Sequence, residues 1–105
     1  MKTSEEVTSV EDPSNGTRVV VPRHVVHRSF PTETVVLNLQ TGKYHGLNPT
    51  AGEMLEELAR TGSIDGASAA VARAHRLPVE EVEADVRRLC AALLERDLIE
   101  LSDAA

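Results

Sequence analysis

The run ETVVLNLQTGKYHGLNPT, residues 33–50, constrains the fold more than any other part of the chain. ETVVLNL is apolar and rich in β-branched residues, and its alternation reads as a strand. Val35, Leu37 and Leu39 point to one face, Val36 and Asn38 to the other. QTGK follows, and Gly42 can take the positive φ that the bulge position of a short hairpin loop requires. KYHGL is the returning strand. Asn48 then offers a side-chain cap and Pro49 a pre-set first helical residue, so a helix must open directly off the second strand. Strand, turn, strand and helix follow one another with no slack.

The flanking segments extend this pattern. Upstream, RVVVPRHVVHRSF reads as one strand interrupted at Pro22, which donates no hydrogen bond and therefore places the strand at an edge or bends it. Downstream, the helix opened by Asn48 carries Ala51, Met54, Leu55 and Leu58 on one face and stops at Gly62. SIDGASAAVARAHRL forms a second helix, capped by Ser63, with Ile64, Ala67, Val71 and Ala74 as its apolar stripe. PVEEVEADVRRLCAALLERD forms a third, its stripe running through Val79, Val82, Val86, Leu89, Cys90 and Leu93. Glu80, Glu81 and Glu83 favour the positive end of its dipole. LIEL then reads as a short final strand or an extended packed tail. The predicted fold is α+β, winged helix-turn-helix-like, with a three-stranded antiparallel sheet followed by three helices. The predicted domain covers residues 18–101. Residues 1–17, acidic and carrying Pro13, Asn15 and Gly16, are expected to form a disordered tail, and residues 102–105 a frayed end.

A chain of 105 residues suits one domain, and 41% hydrophobic residues are enough for a core. With one Phe, one Tyr and no Trp, that core must be built from Val, Leu and Ala. No apolar run approaches the ~20 residues of a membrane span, and the N-terminus has no secretory apolar region. A single cysteine excludes an internal disulfide. These features predict a cytoplasmic protein with no membrane partner.

Chemistry-bearing residues form no catalytic pattern. His24, His27, His45 and His75 are scattered, and no Cys/His/Asp/Glu group has zinc-ligand spacing. Cys90 sits in an apolar stripe, where burial raises a thiol's pKa and makes it inert. The glycines fit neither a Walker nor a Rossmann loop. Neither metal nor cofactor is expected, and the chain is expected not to be an enzyme.

Binding remains, in two forms. A winged helix usually presents its last long helix to the DNA major groove. Here that helix would bring Glu80, Glu81, Glu83 and Asp85 to the phosphates, against Arg87 and Arg88, on a chain whose net charge is −6. A DNA-binding regulator is thus the alternative reading, and the charges disfavour it. The other form uses the hairpin. An unpaired strand edge is either blunted, here by Lys43 and by its shortness, or used to template another strand.

From Val35 to Leu101 the chain resembles the PqqD-like family of peptide-recognition domains, the RiPP recognition elements. The likeness lies in the strand and turn with TGKYHGLN, the helix opening NPTA, a second helix starting at GSI and a third ending in LLERDLI. It is nearest to stand-alone leader-binding proteins of lasso-peptide pathways. The resemblance implies a non-catalytic protein that captures the leader of a ribosomally made precursor peptide. It would present that leader to a separate peptidase of cysteine-protease type and then to the cyclase. It also implies an added strand against the third strand and beside the third helix. Carried over by position, the edge is Lys43, Tyr44, His45, Gly46 and Leu47. Two flanks of the third helix are available: Val82, Asp85 and Leu89 with Val86 between them, or Glu83, Arg87 and Leu94. The first is preferred.

Overall fold

The computed structural model describes residues 17–103. Its elements in chain order are strands β1 (Thr17–Val20), β2 (Val25–Ser29), β3 (Thr34–Asn38) and β4 (Tyr44–Leu47). Helices α1 (Pro49–Thr61), α2 (Ile64–His75) and α3 (Val79–Glu95) follow, and β5 (Glu100–Asp103) closes the chain. This is the α+β order expected, with one difference in the sheet. β2, β3 and β4 form a three-stranded antiparallel sheet, while β1 and β5 form a separate two-stranded ribbon.

That difference corrects the single interrupted strand expected from Arg18 to Phe30. At Pro22 the chain turns, with the Val25 N–H donating to the Pro22 carbonyl (3.0 Å). Proline's missing donor ends one strand, and the turn releases the next into a different sheet. β1 pairs instead with the last segment, Val19 opposite Leu101 and Thr17 opposite Asp103. The ribbon therefore takes in Thr17, Ser102 and Asp103, residues that the sequence had set outside the domain. Residues 1–16 and 104–105 lie outside the described residues.

The hairpin and the helix caps form for the reasons legible in the sequence. Gly42 has φ +78°, and the Asn38 side chain accepts hydrogen bonds from the N–H groups of Gln40 (2.8 Å) and Thr41 (3.1 Å), which builds the turn. Asn48 caps α1 through the Ala51 N–H (2.8 Å), and Gly62 ends it in a left-handed conformation. Ser63 caps α2 through the Gly66 N–H (2.8 Å).

Of the two β3 faces, the one carrying Thr34, Val36 and Asn38 is inside. α1 crosses this face closely. A methyl on Gly52 would overlap the buried Thr34 side chain, so glycine there sets the spacing between helix and sheet. Leu55, Leu58, Ile64, Val71, Val86, Leu93 and Leu98 fill the centre at 1% exposure or less. On α2 the buried set is Ile64, Ala67, Ser68, Val71 and Ala72, whereas Ala74, expected in that stripe, is exposed. The outer face of the sheet keeps apolar side chains in water, with Val26 45% and Phe30 49% exposed beside half-buried Val35 and Leu37.

Candidate functional site

β4 is a sheet edge, and its hydrogen-bonding pattern decides what that edge can do. The Asn38 N–H donates to the Lys43 carbonyl (2.8 Å), in register with Val36 opposite His45 and Thr34 opposite Leu47. Bonded pairs alternate along an antiparallel ladder. His45 and Leu47 thus bond inward to β3, and the backbone N–H and C=O groups of Tyr44 and Gly46 face outward. Side chains alternate as well. Leu47 is buried and His45 half-buried on the helical side, while Tyr44 is 68% exposed on the other face.

The outward groups of β4 look across a groove at α3. Its larger part is a cleft of ≈ 560 Å³. His45, Gly46 and Leu47 form one wall, the first turns of α1 with Ala51 and Met54 the floor, and Asp85, Arg88 and Leu89 of α3 the far wall. A second cleft of ≈ 480 Å³ continues toward the hairpin turn, between Gly42, Lys43 and Tyr44 on one side and Glu95 and Arg96 on the other. β4 and α3 thus run alongside each other. Leu47, Met54 and Leu89 supply apolar surface at the bottom, and the Asp85–Arg88 ion pair supplies charge at the rim.

All five residues predicted for the edge, Lys43 to Leu47, line these clefts. On α3, Asp85 and Leu89 line the cleft, whereas the expected place of Val82 and Val86 on this flank is corrected by their burial. Those two are 2% and 0% exposed and belong to the core. At 100° per residue, Val82, Val86, Cys90 and Leu93 form the centre of the buried stripe, and Asp85 and Leu89 its border. The groove side of α3 continues instead through Arg88, Glu95 and Arg96, which sequence reasoning missed although they repeat Asp85 at helical intervals. Ala51 and Met54 were missed because both were assigned to the core. The signal was the adjacency of KYHGL and NPTA, which leaves the first turn of α1 beside the edge strand. Glu83, Arg87 and Leu94 line neither cleft; Glu83 and Arg87 pair with each other (2.6 Å).

Among the described residues no three His, Cys, Asp or Glu side chains converge on a metal position. Cys90 is 1% exposed, and burial pushes its thiol up to about 11, with the Arg87 guanidinium opposing the shift. It carries no thiolate at neutral pH.

An unpaired strand edge beside a groove, on a small sheet backed by three helices, defines a class of small α+β domain whose edge backbone groups remain open to pairing. The family model for coenzyme PQQ synthesis protein D, PqqD, matches residues 33–99, more than half of the chain, and the chain belongs to that family. Two solved structures are similar to it. One is TbiB1 in complex with the TbiA(beta) leader peptide, with a TM-score of 0.67 at 28% identity, covering 76% of this chain and 93% of that one. The other is a lasso peptide synthetase B1 complexed with the leader peptide, with a TM-score of 0.65 at 19% identity, covering 82% of this chain and 99% of that one. No curated protein sequence matches the chain significantly. No helix among the described residues is long and apolar enough to cross a membrane.

Proposed function

We propose that this protein binds the leader of a ribosomally synthesised precursor peptide as an added strand on β4 and delivers it to a leader peptidase and a cyclase in lasso-peptide biosynthesis. The observation that carries the reading is the outward-facing backbone of Tyr44 and Gly46, set opposite Asp85 and Leu89 across a groove. The two similar structures, both complexes with leader peptides, support the choice of ligand.

The energetics require more than the backbone. Tyr44 and Gly46 offer two donors and two acceptors, each bond netting about 0.5–1.5 kcal/mol before the leader's ordering is charged against it. Such bonds are blind to sequence. Selection needs an apolar leader side chain in the cleft over Leu47, Met54 and Leu89, where full burial contributes roughly 1.5–3 kcal/mol. The DNA-binding alternative fares worse on the observed surface. Glu80, Glu81 and Asp85 are exposed on the first turns of α3, and both arginines of that helix are engaged by acids, Arg87 by Glu83 and Arg88 by Asp85.

The test is hydrogen exchange with and without a synthetic peptide covering the leader encoded beside this protein's gene. Saturating peptide is expected to slow exchange at the amides of Tyr44 and Gly46 selectively, while the amide of His45, already bonded to β3, changes little. Protection confined to other segments would remove strand addition at β4 from consideration.

A further inference from the structure

We propose that Asn38 is a positioning residue that holds the peptide groove at its working width without touching the peptide, an inference that rests on the leader-binding reading above. Asn38 lies in β3, is 2% exposed and lines neither cleft of the groove. Its side chain nevertheless joins the two walls. The amide Nδ2 donates to the Asp97 carbonyl just beyond α3 (2.9 Å), while Oδ1 holds the turn between β3 and β4. One residue therefore shapes the hairpin and ties it to the end of the facing helix.

The geometry makes this tie decisive for the groove. At the far end, β4 runs straight into α1, whose first turns form the groove's floor, so chain connectivity anchors β4 there. At the hairpin end the turn reaches the end of α3 through the Asn38 and Lys43 side chains. The Asn38 bond closes that end. Its acceptor is held firmly: Asp97 is left-handed (φ +60°), its N–H donates to the Leu94 carbonyl, and the N–H of buried Leu98 donates to the Leu93 carbonyl. The Lys43–Asp97 ion pair (3.7 Å) spans the same gap, but both side chains are more than half exposed and solvent screens it. An added strand must sit about 4.8 Å from β4 while its side chains reach α3, so the separation of hairpin and helix determines whether both contacts form together.

Asn38→Asp tests the tie. It keeps the oxygen acceptors that build the turn, removes the donor to Asp97 and sets a carboxylate against that carbonyl. If the groove is then competent a tenth of the time, the leader's Kd rises about tenfold. Because the variant is also expected to melt lower, it is combined with Arg76→Gly, which relieves left-handed strain (φ +56°) at the exposed end of α2, outside both clefts, and raises the melting temperature. Anisotropy with the fluorescein-labelled leader peptide encoded beside the gene is measured for wild type, both single variants and the double variant. Val71→Ala, destabilised in α2 far from the groove, serves as the stability control. The expected result is weakened binding by Asn38→Asp that persists in the double variant at restored melting temperature, with wild-type affinity in Arg76→Gly and Val71→Ala. Recovery of affinity together with stability in the double variant, or unchanged affinity in Asn38→Asp, would overturn the inference. A wild-type protein that fails to bind the leader overturns the function itself, a distinguishable outcome.

Discussion

At the residue scale, the boundary between core and groove on α3 turns on single positions. Val82 and Leu89 are both apolar and lie two turns apart on nearly the same side of α3, roughly 20° round its axis, yet only Leu89 borders the cleft. The sequence shows which residues are apolar, but the distance of each from the stripe centre depends on how α3 rolls against α1 and α2. Local spacing does not encode that rotation, so Val82 and Val86 were expected on the groove flank and are found in the core. Cys90 was legible, because a stripe position predicts burial and burial predicts an inert thiol. Its titration gives a pH dependence with a defined sign. Its pKa is about 11 in the folded protein, against 9.0 for the unperturbed group. The folded state therefore holds its proton more tightly, and the stability this represents is complete below pH ~9 and lost as pH rises toward ~11, up to about 2–3 kcal/mol. Denaturant unfolding at pH 8 and pH 10.5 is expected to show that loss in the wild type and much less of it in Cys90→Ala. Native protein at pH 8 is expected to resist thiol reagents until unfolded.

At the scale of elements, the hairpin and α1 were readable because their determinants are local: Gly42 for the turn, Asn48 and Pro49 for the helix start. The β1–β5 ribbon was not, since the pairing of Val19 with Leu101 joins segments from opposite ends of the chain and no short-range pattern specifies it. The phase of the β4 ladder was also hidden, because it follows from the register with β3. That phase separates two proline substitutions that look equivalent in sequence. His45→Pro deletes an N–H bonded to Val36 and is expected to lower the melting temperature of the free protein. Tyr44→Pro deletes an outward N–H, which an edge strand tolerates. It is expected to leave melting nearly unchanged and to weaken leader binding at least tenfold, from the lost bond and the ring's obstruction of the incoming strand. Tyr44→Ala, which keeps the N–H, is the reference. Equal affinities for Tyr44→Pro and Tyr44→Ala would mean that the edge takes no strand.

At the scale of the whole molecule, the sheet has two faces with different work. The inner face, through Thr34, Val36 and Asn38, is closed by α1 and the core. The outer face exposes Val26, Leu39, Tyr44 and Phe30 at 45–68%, and nothing in the chain's described residues covers it. Exposed apolar surface of this kind marks contact sites in soluble proteins. A leader added to β4 would extend the sheet by one strand and carry this face along with it, because alternate leader side chains would lie beside Tyr44. If the protein delivers a leader as proposed, an enzyme that recognises the loaded carrier can read both on one surface, and the leader peptidase is expected to dock here. Val26→Glu places a charge on that face, one strand away from Leu37 and two from the β4 edge, with no contact to the groove. The leader's Kd is expected to stay within about twofold, since the site is outside the groove and exposed substitutions usually change stability by less than ~0.5 kcal/mol. Precursor cleavage by the pathway's peptidase is expected to slow about tenfold or more, as a buried unpaired charge at a protein contact costs several kcal/mol. Steady-state cleavage at saturating precursor, with carrier concentration varied, separates the two effects. A peptidase that processes the precursor equally well on Val26→Glu and wild-type carrier would move the docking site off this face.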